Sequence, residues 1–270
     1  MPEAPEIRQF ADELIEFFKG KKLQKVKILS GRYSRHSPPK NLEQLNKLLP
    51  LKIKEIKTKG KFIYAILENN WILAFTMGLS GFFTDDKIKH NHIEFETNNG
   101  SINGSIFMND VRNFGTFEIQ DSFDNLNKKL NKLGPDIFHI TENEFIPIIQ
   151  KSPNIEIGSF LMKQEKISGI GNYLRAEILW LSKIDPFRKI KNLKLDEIKE
   201  IYRNSIKLVW YFYDFKKALK NNIVSDKDKY PMDYDRDFFV YGEKKDINNK
   251  EVVCKTLGNR TIHYVPDYQK

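Results

Sequence analysis

The sequence has a single cysteine, no long apolar run and few histidines, and each shortage excludes a class of protein. Cys254 is the only cysteine in 270 residues. It excludes an internal disulfide framework and a cysteine-rich zinc site, and it favours a reducing compartment. No apolar run approaches the ~20 residues that span a bilayer, and the first residues lack the basic-then-apolar layout of a signal peptide. The sequence therefore predicts a nuclear or cytoplasmic protein that is neither secreted nor membrane-bound, and a viral source is compatible with it.

Positive charge exceeds negative charge along the chain. Lysine and arginine number 45 and aspartate and glutamate 36, which gives a formal net charge of +9. A basic surface that also carries acids is typical of proteins that bind polyanions such as nucleic acid. A lysine-rich protein without that function is the alternative. Frequent Phe and Tyr argue against a disordered chain.

The spacing of apolar residues changes along the chain. Ile7 to Lys19 has helical spacing and is followed by a glycine stop. Short strand-like segments with turn signals between them then continue to Asp121, a pattern typical of a sandwich or barrel. Helical patterns follow, and the last thirty residues again resemble a β-hairpin. The predicted fold is multidomain α+β, with an N-terminal β-sandwich and leading helix at 1–122, a helical domain at 123–222, and a loop plus hairpin finger at 223–270.

Pro2-Glu3 is the stretch of the sequence that points most directly to catalysis. Removal of Met1 ahead of a small residue would leave Pro2 as a free secondary amine. An α-amino group titrates near ~8, against ~10.4 for lysine, so about a tenth of it is nucleophilic at neutral pH. Glu3 beside it is placed to shuttle protons. The alternative is a plain helix lead-in, because proline and acids are common in a first helical turn.

Three further motifs contain candidate binding residues. Lys61 follows a glycine and is expected at a strand start, with its ammonium at the sheet rim. Leu79 lies in a tight Gly-Leu-Ser-Gly turn. Arg112 and Phe114 are two residues apart and would point the same way in an extended loop, so that the ring wedges a base step and the cation fills the gap. The alternatives are a solvated lysine and core positions for the two apolar side chains.

A glycine-spaced hairpin at 167–173 lies between two predicted helices, with Asn172 where the second helix begins. Backbone N–H groups at that start, with the Asn amide, predict a phosphate site; a plain connection with an Asn cap is the alternative. Arg260 falls at the tip of a predicted hairpin near the C-terminus. The five histidines lack the spacing of metal ligands, His90-x-His92 coming nearest. We therefore predict no metal and no cofactor.

Six motifs follow one another along nearly the whole chain. They are P-E-x-P-E at the start, G-K on a strand, G-[ML]-S-G, R-x-F-G, G-x-G-N between two helices, and R-T in the last hairpin. Each is weak alone, but together they resemble the formamidopyrimidine-DNA glycosylase / endonuclease VIII (Fpg/Nei) family. The resemblance implies a β-sandwich with a leading helix, a helix–two-turn–helix (H2TH) domain and a C-terminal finger.

The resemblance also implies roles for individual residues. Pro2 is the nucleophile that attacks the sugar C1′, and Glu3 is the general acid/base. Asn172, Lys61 and Arg260 grip DNA phosphates, and the last two also belong to the catalytic set. The residues that fill the void left by a flipped nucleotide are Leu79, Arg112 and Phe114.

Two features, which involve three positions, depart from the family pattern. Val265 and Tyr268 stand where zinc-binding members carry their last two cysteines, so the chain resembles the zincless, Nei-like branch and no zinc is expected. Apolar packing must then hold the finger. Thr76 stands where many members have a histidine, and it can bond a phosphate without adding charge.

The implied function is base excision repair of oxidised bases by a bifunctional DNA glycosylase/AP lyase. A Schiff base on the N-terminal proline would precede strand cutting by β/δ-elimination. The expected partner of this monomeric enzyme is double-stranded DNA with oxidised bases or abasic sites, and oxidised pyrimidines and ring-opened purines are favoured. Residues 221–237 lie where family members place a lesion-recognition loop. The alternatives are a non-catalytic damaged-DNA-binding protein and an AP lyase only.

Overall fold

The computed structural model describes residues 2–100, 103–220 and 238–270, with side chains omitted at 215–220. The chain divides into two compact units. The first unit comprises Met1–Pro2 and Glu6–Lys132, and the second comprises Glu3–Pro5 and Leu133–Lys270. The expected lesion-recognition loop at 221–237 lies outside the described residues. The three-part division at 1–122, 123–222 and 223–270 stays a prediction.

The first unit is built from strands and short helices that follow a longer leading helix. The helices are α1 (Ala4–Phe18, of which the first two residues belong to the second unit), α2 (Arg32–Arg35), α3 (Leu42–Leu48) and α4 (Phe123–Leu130). The strands are β1 (Lys22–Ile28), β2 (Leu51–Lys59), β3 (Phe62–Leu67), β4 (Ile72–Thr76), β5 (Gly81–Thr84), β6 (Asn91–Asn98), β7 (Asn103–Asp110) and β8 (Thr116–Gln120).

The strands form one antiparallel sheet in the order β5-β7-β6-β1-β2-β3-β4-β8. β1 and β2 pair only through Lys22–Lys52 and Leu23–Leu51, and the sheet folds into two layers at this short junction. Phe75 of β4 packs on Phe95 of β6 across the layers, with ring centroids 5.7 Å apart. Buried and half-buried residues alternate along β6, as expected of a strand with one face in a core. The β-sandwich with a leading helix is confirmed.

Two local predictions differ from the structure. α1 begins at Ala4, earlier than the predicted Ile7, because Pro5 lacks an N–H that the first helical turn would leave unpaired anyway. The segment 30–40, expected as an exposed basic loop, contains the short helix α2. Tyr33 holds this helix to β8, since its hydroxyl accepts from the N–H of Phe117 at 2.7 Å and donates to the carbonyl of the same residue at 2.8 Å.

The second unit contains helices followed by one hairpin. The helices are α5 (Glu142–Gln150), α6 (Ile157–Phe160), α7 (Asn172–Leu181), a short 3-10 helix (Ile190–Asn192) and α8 (Leu195–Lys220). The strands of the hairpin are β9 (Val253–Leu257) and β10 (Arg260–Tyr264). α7 is the centre of this unit, because every residue from Tyr173 to Trp180 is buried. The hairpin β9–β10 turns at Gly258-Asn259 as predicted. None of the helices in the described ranges is long and apolar enough to cross a bilayer.

Candidate active site

Glu3 is fixed at the N-terminal end of α7. Its side chain is buried, with 1% of its surface exposed. One carboxylate oxygen accepts from the N–H groups of Gly171 at 2.6 Å and Leu174 at 3.2 Å, and the other accepts from Tyr173 at 2.9 Å. The next residue, Ala4, donates its N–H to the carbonyl of Gly169 at 3.1 Å. Chain starts usually fray, but here Glu3 and Ala4 are both held by hydrogen bonds to residues 169–174.

These contacts correct the expectation of a backbone phosphate site at the start of α7. Free N–H groups at a helix start attract an anion, but the anion here is the protein's own carboxylate. Three N–H donors stabilise the ionised form of Glu3. The N–H groups of Gly171, Tyr173 and Leu174 are therefore already occupied by Glu3.

Asn172 lies beside that helix start as its first helical residue. Its amide Nδ2 donates to the carbonyl of Thr261 at 3.0 Å, and its Oδ1 accepts from the guanidinium of Arg175. Thr261 follows Arg260, the exposed first residue of β10. Asn172, predicted to bind phosphate, is thus hydrogen-bonded to the residue next to Arg260, which is also predicted to bind phosphate.

Arg175 is a site residue that the sequence analysis missed. Its side chain is fully buried and also donates to the carbonyl of Gly158 at 3.3 Å. Burial lowers the pKa of Arg175 to about 10, and the nearby charge of Glu3 opposes this effect. Burial, with a smaller contribution from Arg175, also lowers the pKa of His263. An arginine inside a mostly apolar helix is the signal that would have identified it.

Glu177, two residues further along α7, was also missed. It is buried, and its carboxylate accepts from the N–H groups of Phe239 at 2.9 Å, Val240 at 3.0 Å and Tyr241 at 2.8 Å. Burial raises the pKa of Glu177 to about 7, against the opposing effect of these three hydrogen bonds. The helix that begins at Asn172 therefore also fixes the chain where it leaves the 221–237 segment.

In the first unit, Lys61 lies in the two-residue turn between β2 and β3. Lys59 and Phe62 pair across this turn, and Lys61 is half-buried. It therefore precedes the strand by one residue, close to the predicted strand start. Its role stays a prediction.

Leu79, Arg112 and Phe114 lie in two neighbouring turns of the first unit. Leu79 is half-buried in the turn between β4 and β5, whereas Phe114 is 53% exposed in the turn between β7 and β8. The extended loop expected around Arg112 and Phe114 is wrong, because Asn113 adopts a left-handed conformation with φ 55°. The guanidinium carbon of Arg112 nevertheless lies 5.5 Å from the ring centroid of Phe114. The pair remains together on the surface.

The predicted site residues thus fall into two groups. Glu3, Asn172 and Arg260 lie together in the second unit, and the predicted void-filling residues lie together in the first. Their roles in catalysis and DNA binding stay predictions. In the ranges that the structure describes, no three His, Cys, Asp or Glu side chains are grouped so as to hold a metal ion.

Two models of known protein families together match most of the chain. The model described as "Formamidopyrimidine-DNA glycosylase N-terminal domain" matches residues 1–117, and "Formamidopyrimidine-DNA glycosylase H2TH domain" matches residues 133–220. The formamidopyrimidine-DNA glycosylase of Mycoplasma genitalium is 29% identical over 100% of this chain and 96% of its own. That of Mycoplasma pneumoniae is 32% identical over 76% of this chain and 75% of its own.

Solved structures share the same fold. MutM in complex with DNA containing carbocyclic 8-oxo-G matches with a TM-score of 0.80 at 23% identity over 100% of both chains. Lactococcus lactis Fpg in complex with DNA containing FAPY-dG matches with a TM-score of 0.79 at 24% identity over 99% of this chain and 100% of that one.

The helix-led sandwich, the H2TH helices that hold the chain start and the hairpin finger define a DNA glycosylase of the H2TH class. The chain belongs to the formamidopyrimidine-DNA glycosylase family, as the two domain matches and the Mycoplasma pneumoniae relative show. It is therefore a DNA glycosylase of base excision repair with AP lyase activity.

Proposed function

We propose that Pro2 is the nucleophile of both activities and that Glu3 is its proton-transfer partner. The observation that carries this proposal is the anchoring of Glu3 by three backbone N–H groups of α7. An amine that attacks a sugar carbon must be held in place, and the carboxylate one residue away is immobilised in an unusually well-defined position. A helix lead-in with no chemical role would not need a buried carboxylate.

The proposed reaction begins after Met1 is removed. The neutral amine of Pro2 attacks C1′ of the deoxyribose, and the base leaves with the bonding electron pair and takes up a proton. The amine nitrogen loses its proton, and the C1′–O4′ bond breaks as O4′ takes up a proton, so the sugar ring opens and a C1′=N iminium forms. The iminium withdraws electrons, so a proton is lost from C2′ and the 3′ phosphate leaves by β-elimination; a proton is then lost from C4′ and the 5′ phosphate leaves by δ-elimination. Water then hydrolyses the iminium and frees the amine. Glu3, held as a carboxylate, accepts and returns protons in these steps.

Side chains in both units are proposed to bind the duplex. In the second unit Asn172 and Arg260 contact phosphates, and in the first unit Lys61 does so. Leu79, Arg112 and Phe114 enter the stack where the damaged nucleotide leaves it. Support comes from the exposure of Phe114, the hydrogen bond from Asn172 to the residue next to Arg260, and the net charge of +9.

Oxidised pyrimidines and ring-opened purines are the proposed lesions. Two structures of one relative support this choice, since Lactococcus lactis Fpg was solved with DNA containing FAPY-dG and with DNA containing an oxidised pyrimidine. The enzyme is proposed to work as a monomer without zinc, with Val265 and Tyr268 in place of cysteines. A nuclear or cytoplasmic location follows from its substrate. The relatives named above are bacterial, so a viral source has no support.

Borohydride trapping tests the mechanism. Oligonucleotides that contain thymine glycol or an abasic site are incubated with the enzyme and reduced, and we expect a covalent adduct with both. Adduct on the abasic site alone would leave only lyase activity, and no adduct on either would leave a non-catalytic binding protein.

Variants at the chain start identify the nucleophile. Pro2→Gly should trap far less than the wild type, and an N-terminal tag that blocks Pro2 should abolish trapping. Mass spectrometry should find Pro2 as the first residue of the active protein. If Pro2→Gly trapped as well as the wild type, the nucleophile would be another amine, such as a lysine.

A further inference from the structure

Two turns of the first unit share one buried carboxylate. Asp110 ends β7 and is 1% exposed. Its Oδ1 accepts from the hydroxyl of Ser80 at 2.5 Å and from the N–H of Arg112 at 3.3 Å. Its Oδ2 accepts from the N–H of Gly115 at 2.6 Å. Ser80 belongs to the turn of Leu79, and the other two donors flank Phe114, so Asp110 holds both turns at once.

The two turns also touch backbone to backbone. Gly78 has a φ of +56°, and a Cβ atom there would lie 2.7 Å from the nitrogen of Gly115 and 2.8 Å from the carbonyl carbon of Phe114. A Cβ on Gly115 would lie 2.9 Å from the carbonyl oxygen of Thr76 and 3.1 Å from Oδ2 of Asp110. Real Cβ atoms are rarely so close to backbone atoms, so glycine at both positions allows this contact.

The backbone of Asp110 is fixed as firmly as its side chain. His92 Nε2 lies 2.8 Å from the Asp110 carbonyl oxygen. A carbonyl can only accept, so Nε2 carries a proton and donates it to this oxygen. The carboxylate therefore cannot follow one turn without moving the other.

We propose that Asp110 is a positioning residue that joins the turn of Leu79 and the turn of Arg112 and Phe114 into one rigid wedge. This inference rests on the proposed function, in which these three side chains fill the void in the duplex. A rigid wedge matters when a paired, stacked nucleotide must be extruded, because extrusion costs several stacking and pairing interactions. It does not matter for a sugar that has no base and no complementary strand. Asp110 thereby makes the enzyme selective for lesions within a duplex.

Asp110→Asn and Ser80→Ala test the proposal. The amide of Asn must turn its NH₂ group toward either the N–H of Gly115 or the N–H of Arg112, so one of these two backbone N–H groups loses the carboxylate oxygen that accepts from it. We expect kcat/KM for a duplex containing paired thymine glycol to fall about tenfold or more. We expect borohydride trapping on a single-stranded abasic oligonucleotide to stay within about twofold of the wild type. Ser80→Ala should show the same split at a smaller size.

A double variant and two matched controls complete the experiment. Because both residues act in one network, Ser80→Ala with Asp110→Asn should lose little more than Asp110→Asn alone. Ser105 donates to Glu94 at 2.7 Å elsewhere on the same sheet, so Ser105→Ala and Glu94→Gln should leave both activities near wild type.

The outcomes separate this inference from the proposed function. Equal losses on both substrates in Asp110→Asn and in Ser80→Ala, or none on the duplex, would overturn the positioning role. If the wild type trapped on neither substrate, the catalytic mechanism itself would be wrong. Stopped-flow fluorescence of 2-aminopurine opposite the lesion should show slower extrusion in Asp110→Asn, a change that a uniform loss of folded protein would not cause.

Discussion

At the scale of single residues, the carboxylate of Glu3 occupies backbone N–H groups at the start of α7. A helix N-terminus offers free N–H groups and a partial positive charge, and here both are used on the protein's own carboxylate. The proposed phosphate contacts beside this helix are those of the neutral amide of Asn172 and the cation of Arg260. Because one side chain is neutral and the other is charged, we expect their removal to affect DNA binding differently.

Asn172→Ala and Arg260→Ala should both weaken binding to DNA, but with different salt dependence. Loss of a hydrogen bond to a phosphate should reduce affinity roughly tenfold in each case. A cation on a phosphate releases about one counterion, so Arg260→Ala should reduce the slope of log K against log[salt] by about 1, whereas Asn172→Ala should leave it unchanged. Fluorescence anisotropy with a duplex containing a stable abasic analogue, at several salt concentrations, measures both slopes.

The control for charge alone is Arg203→Ala. Arg203 lies on α8, is 60% exposed and pairs with Glu200, and no role in DNA binding is predicted for it. Its removal should leave affinity and slope close to the wild type. Equal slopes for Arg260→Ala and the wild type would contradict a phosphate contact by Arg260.

At the scale of elements, α7 combines an apolar surface with two buried charges. Arg175 points to the finger and Glu177 to residues 239–241, so one helix fixes two separate segments of the chain. The pKa of Glu177, about 7, lies in a pH range where unfolding can be measured. Its titration should therefore be visible in the pH dependence of the free energy of unfolding.

Glu177→Gln should remove one component of the pH dependence of stability. The pKa of Glu177 is about 7 in the folded protein and 4.5 when unperturbed. The folded state therefore holds the proton more tightly, and the resulting stabilisation is fully present below pH 4.5 and lost as pH rises through 7. The change is on the order of 3 kcal/mol. Urea unfolding midpoints of both proteins between pH 4.5 and 8 should show the wild type losing stability relative to the variant.

Glu197→Gln is a control of opposite sign. Hydrogen bonds from Arg188 lower the pKa of Glu197. This pair contributes stability above the unperturbed pKa, and the contribution is lost as pH falls through the lowered value. The wild type and Glu197→Gln should therefore converge in acid. A Glu177→Gln curve parallel to the wild type across the whole range would show that Glu177 stays ionised.

Local sequence patterns predicted the helices and strands well. They could not predict contacts between residues that are far apart in the sequence. The residues of β6 alternate as a one-faced strand should, and the start of α7 at Asn172 follows from the glycine-spaced hairpin. By contrast, the bond from Gly171 to Glu3 spans 168 residues. The turn at Asn113 likewise depends on a network around Asp110 that reaches Ser80, 30 residues away. Neither arrangement leaves a periodic signal in the sequence.

At the scale of the whole molecule, each unit has its own apolar core, and the finger belongs to the core of the second. Ile262 and Val265 are 0% and 1% exposed within that core. Gln269 closes the end of the chain, since its Oε1 accepts from the N–H of Val265 at 2.7 Å and its Nε2 donates to the carbonyl of Ile184 at 2.9 Å. These contacts occupy the segment where zinc-binding members have cysteines.

Asp246 gives the finger a second polar anchor. Its carboxylate accepts from the indole N–H of Trp180 at 3.1 Å and from the backbone N–H groups of Asn248 and Lys250, both at 2.9 Å. Zinc fingers that depend on their metal unfold when it is removed. A finger held by packing and by bonds of this kind should not respond to metal at all.

Chelation should therefore leave the enzyme intact, whereas loss of packing should not. We expect EDTA and 1,10-phenanthroline to change neither the melting temperature nor excision, and elemental analysis to find no stoichiometric zinc. Ile262→Ala should cost about 2–5 kcal/mol of unfolding free energy because it leaves a cavity in a closed core, with excision falling as the finger that presents Arg260 loosens. The surface variant Thr256→Ala, on the exposed part of β9, should be neutral. Loss of activity on chelation, restored by added zinc, would overturn the zincless finger and assign its stability to a metal.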